Sequence, residues 1–150
     1  MISHAPGDYV CPFCRNINER RAVHPLEIIA EYDDMFVKLN PKWRPRNHGA
    51  LLVIPKAHFE NVFDLPVGLG GPLQRAVRDA AVALKTALQC QGISTRQHNE
   101  PAGNQDVWHY HVHVFPRYDG DDLYQSVEEY WPGESEMREM ADTIRSAWPH

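Results

Sequence analysis

The 150-residue chain has the length of a single domain, and its 43% apolar and 23% charged residues are those of an ordinary globular protein. A formal net charge of -5 argues against a nucleic-acid-binding face or a polybasic membrane contact. No apolar run approaches the roughly 20 residues that span a bilayer, and Met1 to Asp8 lacks the basic and apolar regions of a signal peptide, so a cytosolic protein is expected.

Near the start, Cys11-Pro12-Phe13-Cys14 sets two thiols three positions apart. In a reducing compartment such a pair suggests metal binding or redox chemistry before a structural disulfide. With no strand ahead of it, the pair does not sit in the βαβ setting of a thioredoxin-like site, which favours metal. Structural Zn²⁺ wants four tetrahedral ligands, so two more must come from distant histidines. His58 is the best placed and His48 the runner-up, while His4, His24 and His150 fall in terminal or loop segments.

Met35 to Leu39 reads as a strand, Asn40 to Asn47 as a Pro- and Arg-rich connection, and Gly49 to Ile54 as a second strand ended by Pro55. A helix is predicted from about Pro72 to Cys90, with Leu73, Val77, Ala81, Leu84 and Leu88 on one apolar stripe and Gly92 as its C-cap. Cys90 is expected to be a small buried residue. Ile93 to Gln97 looks like a third strand. A loop dense in amides and carboxylates follows, from His98 through Asn99 and Gln105 to Asp106, suited either to an ordinary polar turn or to holding a phosphate or sugar.

His109-Tyr110-His111-Val112-His113-Val114-Phe115 then places three imidazoles at two-residue spacing among aromatic and β-branched residues. As a strand it would put the three histidines on one face, neighbours roughly 6.5–7 Å apart, and send Tyr110, Val112 and Val114 to the core. The outer two would stand about 13 Å apart, too far to share one ion with Zn–N near 2.1 Å. At most two of the three can bind a common metal, and at least one is left for other chemistry. After Arg117 the chain turns acidic, and a last helix is expected over Glu134–Ala147 with Met137, Met140, Ala141 and Ile144 on one face. Strands adjacent in sequence around one central helix imply an α+β domain on an antiparallel sheet.

The motif His109 to Phe115 resembles the histidine triad (HIT) signature, three histidines alternating with apolar residues. Gln105-Asp106-Val107-Trp108-His109 is similar to the family's lead-in, Gly49 to His58 to its strand ending in Pro-Lys-X-His, and Phe115-Pro116-Arg117 to the branch that includes dinucleoside polyphosphate hydrolases. Cys11 and Cys14 resemble the cysteine pair of zinc-carrying bacterial members. The resemblance covers roughly residues 9–118 of one HIT-like domain over residues 1–150, with residues 119–150 as a C-terminal helical extension.

The resemblance implies an α+β fold with a five-stranded antiparallel sheet and one long helix, two-fold homodimers, and hydrolysis or transfer at the α-phosphate of a nucleotide. By motif position His111 is the nucleophile and His113 the group that hydrogen-bonds phosphate or the leaving group. Asn40, His98, Asn99, Gln105 and Asp106 are the implied substrate contacts, and Cys11, Cys14, His58 and His109 the ligands of a structural Zn²⁺. Substrates in this reading are dinucleoside polyphosphates, nucleoside phosphoramidates or similar conjugates, with phosphorolysis an alternative to hydrolysis. Two further readings are a nucleotide-binding regulatory protein that keeps the pocket with little turnover, and a hydrolase that uses the histidines as catalytic metal ligands. Three positions depart from the family pattern: Asn104 replaces a glycine, Ala50 replaces a histidine, and Asp106 replaces Ser or Thr. A carboxylate at Asp106 repels an α-phosphate unless it turns away or is protonated.

Overall fold

Apolar residues facing both ways mark the centre of the sheet. In the computed structural model, which describes residues 2–19 and 27–150, β2 (Met35–Leu39) and β3 (Leu51–Pro55) are buried along their whole length. They lie inside a five-stranded antiparallel sheet with β1 (Ile28–Glu31), β4 (Gly92–Arg96) and β5 (Val112–Arg117), in the order β1-β2-β3-β5-β4. The α+β class and the antiparallel sheet are therefore as expected. His24 falls outside the described residues.

One face of the sheet carries α2 (Gly70–Leu88) and α3 (Glu134–Ser146). Val37, Leu39, Leu51, Val53, Tyr110, Val112 and Val114 meet Ala76, Ala80, Ala83 and Leu84 of α2 and Met137, Ala141 and Ile144 of α3 in one apolar cluster. The centre of the α2 contact is a row of alanines, whereas Leu73, Val77, Ala81 and Leu88 flank it half-buried. Small side chains let the helix sit close to the sheet, so the larger residues that dominate the periodicity become its edges. The C-cap also differs from expectation: Gln89 takes the left-handed conformation (φ 52°), and Gly92 instead opens β4.

The opposite face is covered in two parts. Phe13, from the short helix α1 (Pro12–Asn18), packs on Phe36, Leu52 and Ile54. At the other end Leu123 covers Ala50 and Phe115. Lys38 points into this face with only 5% of its surface exposed, its ammonium 2.9 Å from Glu27 and 3.0 Å from the Asn16 side chain. A buried lysine is tolerated only when paired in this way, and the pairing fastens α1 to the sheet.

The connection between β2 and β3 folds back on the C-terminal segment. Trp43 and Tyr130 exchange backbone hydrogen bonds of 2.9 Å, and the Arg44 guanidinium donates to the Ser126 carbonyl. Gly49 adopts φ 89°, and a Cβ there would come within 2.8 Å of Met140 Sδ and 3.3 Å of Leu88. The conformation requires glycine here, and any side chain would also have to push Met140 aside where α2 and α3 meet this connection.

Candidate active site and metal centre

The histidine segment is only partly a strand. Of the three imidazoles, His113 stands on β5, whereas His109 and His111 precede it in irregular backbone. The departure from alternation has a local cause. The Tyr110 N–H donates to the Phe59 carbonyl at 2.6 Å rather than to a neighbouring strand, and His109 turns fully inward, with none of its surface exposed. Tyr110, Val112 and Val114 do reach the core as the spacing predicts.

His109 meets the two cysteines and His58. Its Nδ1 lies 3.3 Å from Cys11 Sγ, 3.7 Å from Cys14 Sγ and 3.0 Å from His58 Nδ1, and Cys14 Sγ is 3.4 Å from His58 Nδ1. All four ligand atoms fall within 4.8 Å of one another. A tetrahedron with metal–sulfur bonds near 2.3 Å and metal–nitrogen bonds near 2.1 Å has edges of roughly 3.3–3.8 Å, so the donors already surround a point suited to a metal ion. The His109 Nε2 sits 2.8 Å from the Pro55 carbonyl, which can only accept, so the ring carries its proton there and turns the Nδ1 lone pair inward. Burial pushes the pKa of His109 down to about 4, which keeps the ring neutral, as ligation requires. Burial, reinforced by Cys11, lifts the Cys14 thiol to about 11 in the absence of a cation. His48, the alternative ligand, is elsewhere: it stacks on Trp43 and hydrogen-bonds Tyr130.

His111 is set differently. It is 4% exposed, with Phe13 edge-on at 5.2 Å and Nδ1 2.8 Å from the His109 carbonyl. That contact places a proton on Nδ1 and turns Nε2 towards Asp106. Phe13 also lies edge-on to His109 at 5.6 Å, so one ring separates the metal-type cluster from His111. His113 is T-shaped to His111 at 5.0 Å and stacked on Phe115 at 5.5 Å. Its Nδ1 is buried with no hydrogen-bond partner among the described residues. Burial, followed by the nearby His111, lowers its pKa to about 3.

The loop residues divide into those beside the histidines and those used by the loop itself. Asp106 Oδ1 lies 3.6 Å from His111 Nε2 although its side chain is 75% exposed. Its interaction with His111 outweighs burial and holds the carboxyl down at about 2, so it is ionised at neutral pH. His98 stands 6.1 Å from His113, tethered through Nδ1 to the Gly103 carbonyl at 2.7 Å. Asn99 instead accepts from the Val62 N–H at 2.8 Å and pairs with the Gln97 amide. Gln105 is buried and spends its side chain on the Glu60 and Val107 carbonyls and the Glu100 N–H. Asn40 accepts from the Lys42 N–H in its own turn. Of the five implied substrate contacts, Asp106 and His98 are thus brought to the histidines, whereas the other three fasten loops.

Two loop residues carry unusual backbone. Asn104 is left-handed (φ 66°), a conformation asparagine tolerates, which accounts for glycine at this place in the family pattern. Glu100 has φ 64° and ψ 166°, a region nearly reserved for glycine, and is pinned there by Gln105 and by His4, 3.5 Å from its carboxylate. Sequence reading missed Phe13 and Arg96. The only signal for Phe13 is its place between the two cysteines. Arg96 is recognisable only from the pairing of β4 with β5, which sets it opposite His113.

The HIT domain family model matches residues 21–120. The chain belongs to the histidine triad family. It is similar to Protein hit of Bacillus subtilis, 37% identical over 53% of this chain and 54% of that protein. It is also similar to a HIT-like protein of Methanocaldococcus jannaschii, 32% identical over 75% of this chain and 82% of that one. Relatives with named activities are the adenylylsulfatase of Arabidopsis thaliana (28% identical, 77% and 56% covered) and the adenosine 5'-monophosphoramidase of Saccharomyces cerevisiae (28%, 79% and 70%). Among solved structures, a Hit-like protein of Bartonella henselae superposes with a TM-score of 0.77 at 31% identity, covering 93% of this chain and 97% of that one. A Zn-bound histidine triad protein of Mycobacterium smegmatis gives 0.74 at 27%, with 91% of each chain covered. Among the described residues no helix is long and apolar enough to cross a membrane.

Proposed function

We propose that this histidine triad protein is a nucleotide hydrolase or transferase that works at the α-phosphate through a covalent nucleotidyl group on His111. The observation that carries the reading is the fixed orientation of the His111 ring. Its Nδ1–H is committed to the His109 carbonyl at 2.8 Å, and Nε2 is turned to Asp106 Oδ1 at 3.6 Å, with the His113 ring 5.0 Å away. Nε2 forms a bond to the α-phosphorus as the bond to the leaving group breaks, and the departing atom takes the electron pair and then a proton. Water afterwards breaks the nitrogen–phosphorus bond, releasing the nucleoside monophosphate and restoring the imidazole. In this reading His113, whose pKa burial lowers to about 3, is the group that hydrogen-bonds phosphate oxygens or the leaving group. Its stack on Phe115 fixes the ring, so orientation is set before substrate arrives.

The metal in this reading is a structural Zn²⁺ held by Cys11, Cys14, His58 and His109. Four ligands leave no open position, so the ion would cross-link α1 and the histidine segment rather than activate water. Three free cysteines, two of them serving as ligands, suit the cytosolic setting expected from the sequence, and the reading includes a homodimer. The test is steady-state turnover of adenosine 5'-phosphoramidate, adenylyl sulfate and diadenosine polyphosphates. At least one should be cleaved to AMP, and His111→Ala should reduce that rate by about a thousandfold or more. Nucleotide binding without turnover of any of them would instead support the regulatory reading, which the ionised Asp106 beside His111 favours.

A further inference from the structure

Arg96 is the cation this site does not account for. It is half-buried, its Nε is fully enclosed, and its guanidinium makes no hydrogen bond or ion pair among the described residues. Neighbouring charges are spent. Arg117 grips Asp121 at 2.7 and 2.8 Å and Ser94 at 2.9 Å. Arg44 is bound to the Ser126 carbonyl and lies 3.8 Å from Glu129, whose carboxylate is shared with Lys42 at 3.6 Å. Leaving guanidinium donors unpaired in a partly desolvated place is costly, and here burial and Arg44 also weaken the hold on the Arg96 proton.

The position of Arg96 says what would pair with it. It lies opposite His113 across the antiparallel β4–β5 pair, where facing side chains on one face have Cβ atoms about 4.5–5.5 Å apart. The guanidinium is held between the Phe115 ring at 4.7 Å and the Tyr124 ring at 5.2 Å. Stacking restrains the plane and leaves the N–H edge to form the forked bonds that suit phosphate. His113 therefore stands between His111, 5.0 Å away ring to ring, and Arg96 on the neighbouring strand, and its buried Nδ1 is also unpartnered among the described residues.

We propose that Arg96 is a specificity residue for the leaving group, binding the phosphate beyond the α-phosphorus when a nucleotide is seated over His111. The inference rests on the proposed function and narrows it. As the phosphorus–oxygen bond breaks, its electron pair goes to an oxygen of the departing phosphate chain, and the Arg96 donors meet that charge. A leaving group that departs as neutral ammonia gains nothing from it. The preferred substrates are then those with an anionic phosphate leaving group, dinucleoside polyphosphates rather than phosphoramidates.

The test compares kcat/KM for diadenosine triphosphate and adenosine 5'-phosphoramidate in the full-length wild type, Arg96→Gln and Arg96→Lys. Loss of a forked, charge-assisted contact should cost Arg96→Gln about 30- to 100-fold on the triphosphate and under about threefold on the phosphoramidate. Arg96→Lys, which keeps the charge without the fork, should recover part of the loss. An equal fall on both substrates, or no fall on either, overturns the inference and leaves the His111 reading standing. If the wild type cleaves neither of these, nor adenylyl sulfate, the functional reading fails. Equilibrium binding then decides for Arg96: ADP should bind more tightly than AMP to the wild type and not to Arg96→Gln, and equal binding of both by the wild type overturns the inference.

Discussion

Asp106 Oδ1 lies 3.6 Å from the His111 nitrogen proposed to attack phosphorus, so in that reading it stands in the path of an incoming phosphate. The side chain is neither protonated nor turned away, but its exposure lets it rotate out when a nucleotide enters. Removing the charge should ease entry. Asp106→Asn is expected to lower KM by about three- to tenfold, corresponding to roughly 1 kcal/mol for a solvent-screened charge. A titration with AMP checks the same effect without chemistry. At this scale the sequence was informative where chemistry restricts the choice of residue. Few side chains bind metal, so Cys11, Cys14 and His58 were readable as candidates from residue type and place, whereas His109 as the fourth ligand came only from the likeness to the family. Gln105 was not readable, because an amide that serves a ligand and one that staples a loop look alike until their partners are known.

The metal-type cluster links α1 to the histidine segment through polar side chains, beside the ring contacts that Phe13 makes with His109 and His111. Protein purified without added metal should contain about one zinc per chain by elemental analysis. Cys14→Ser should lose it and raise amide exchange selectively over residues 11–18, with the sheet still protected. Element types were largely legible, since period and breakers mark them, but faces and ends were not. The alanine row of α2 is invisible to a stripe drawn through its largest residues. The irregular backbone at His109 and His111 arises from a long-range bond to Phe59, which no local pattern contains.

The segment after Arg117 also joins distant parts of the fold. Asp121 is buried and accepts from Arg117, Asn47 and the N–H groups of Tyr118 and Leu123, contacts that override burial and hold its carboxyl far below the usual range. A depressed folded-state pKa adds stability above the unfolded value near 3.9, which is lost as pH falls through the folded one. Asp121→Asn should therefore lower stability at pH 7 by about 2–3 kcal/mol and flatten the acid limb of a denaturation–pH profile. A profile parallel to the wild type would remove Asp121 from that account.

Across the molecule, α3 belongs to the same core as the sheet. Met137, Ala141 and Ile144 are buried there, and Arg145 donates to the Ile28 carbonyl at 2.7 Å. Burying a Met and an Ile contributes about 1.5–3 kcal/mol each, a large share of a typical 5–15 kcal/mol stability. A chain truncated before Glu134 should thus lose cooperative thermal unfolding in calorimetry. The amphipathic pattern of this helix was plain in the sequence, but its docking on α2 and β1 depends on Gly49 admitting Met140, a contact between residues far apart in the chain.

The central claim, a covalent nucleotidyl group on His111, is tested most directly by quenching protein in base during turnover of a nucleotide labelled at the α-phosphorus and mapping the label by peptide mass spectrometry. The account predicts one nucleoside monophosphate adduct on the peptide carrying His111, absent in His111→Ala. Product formation with no adduct at any time, or an adduct that survives His111→Ala, would contradict it.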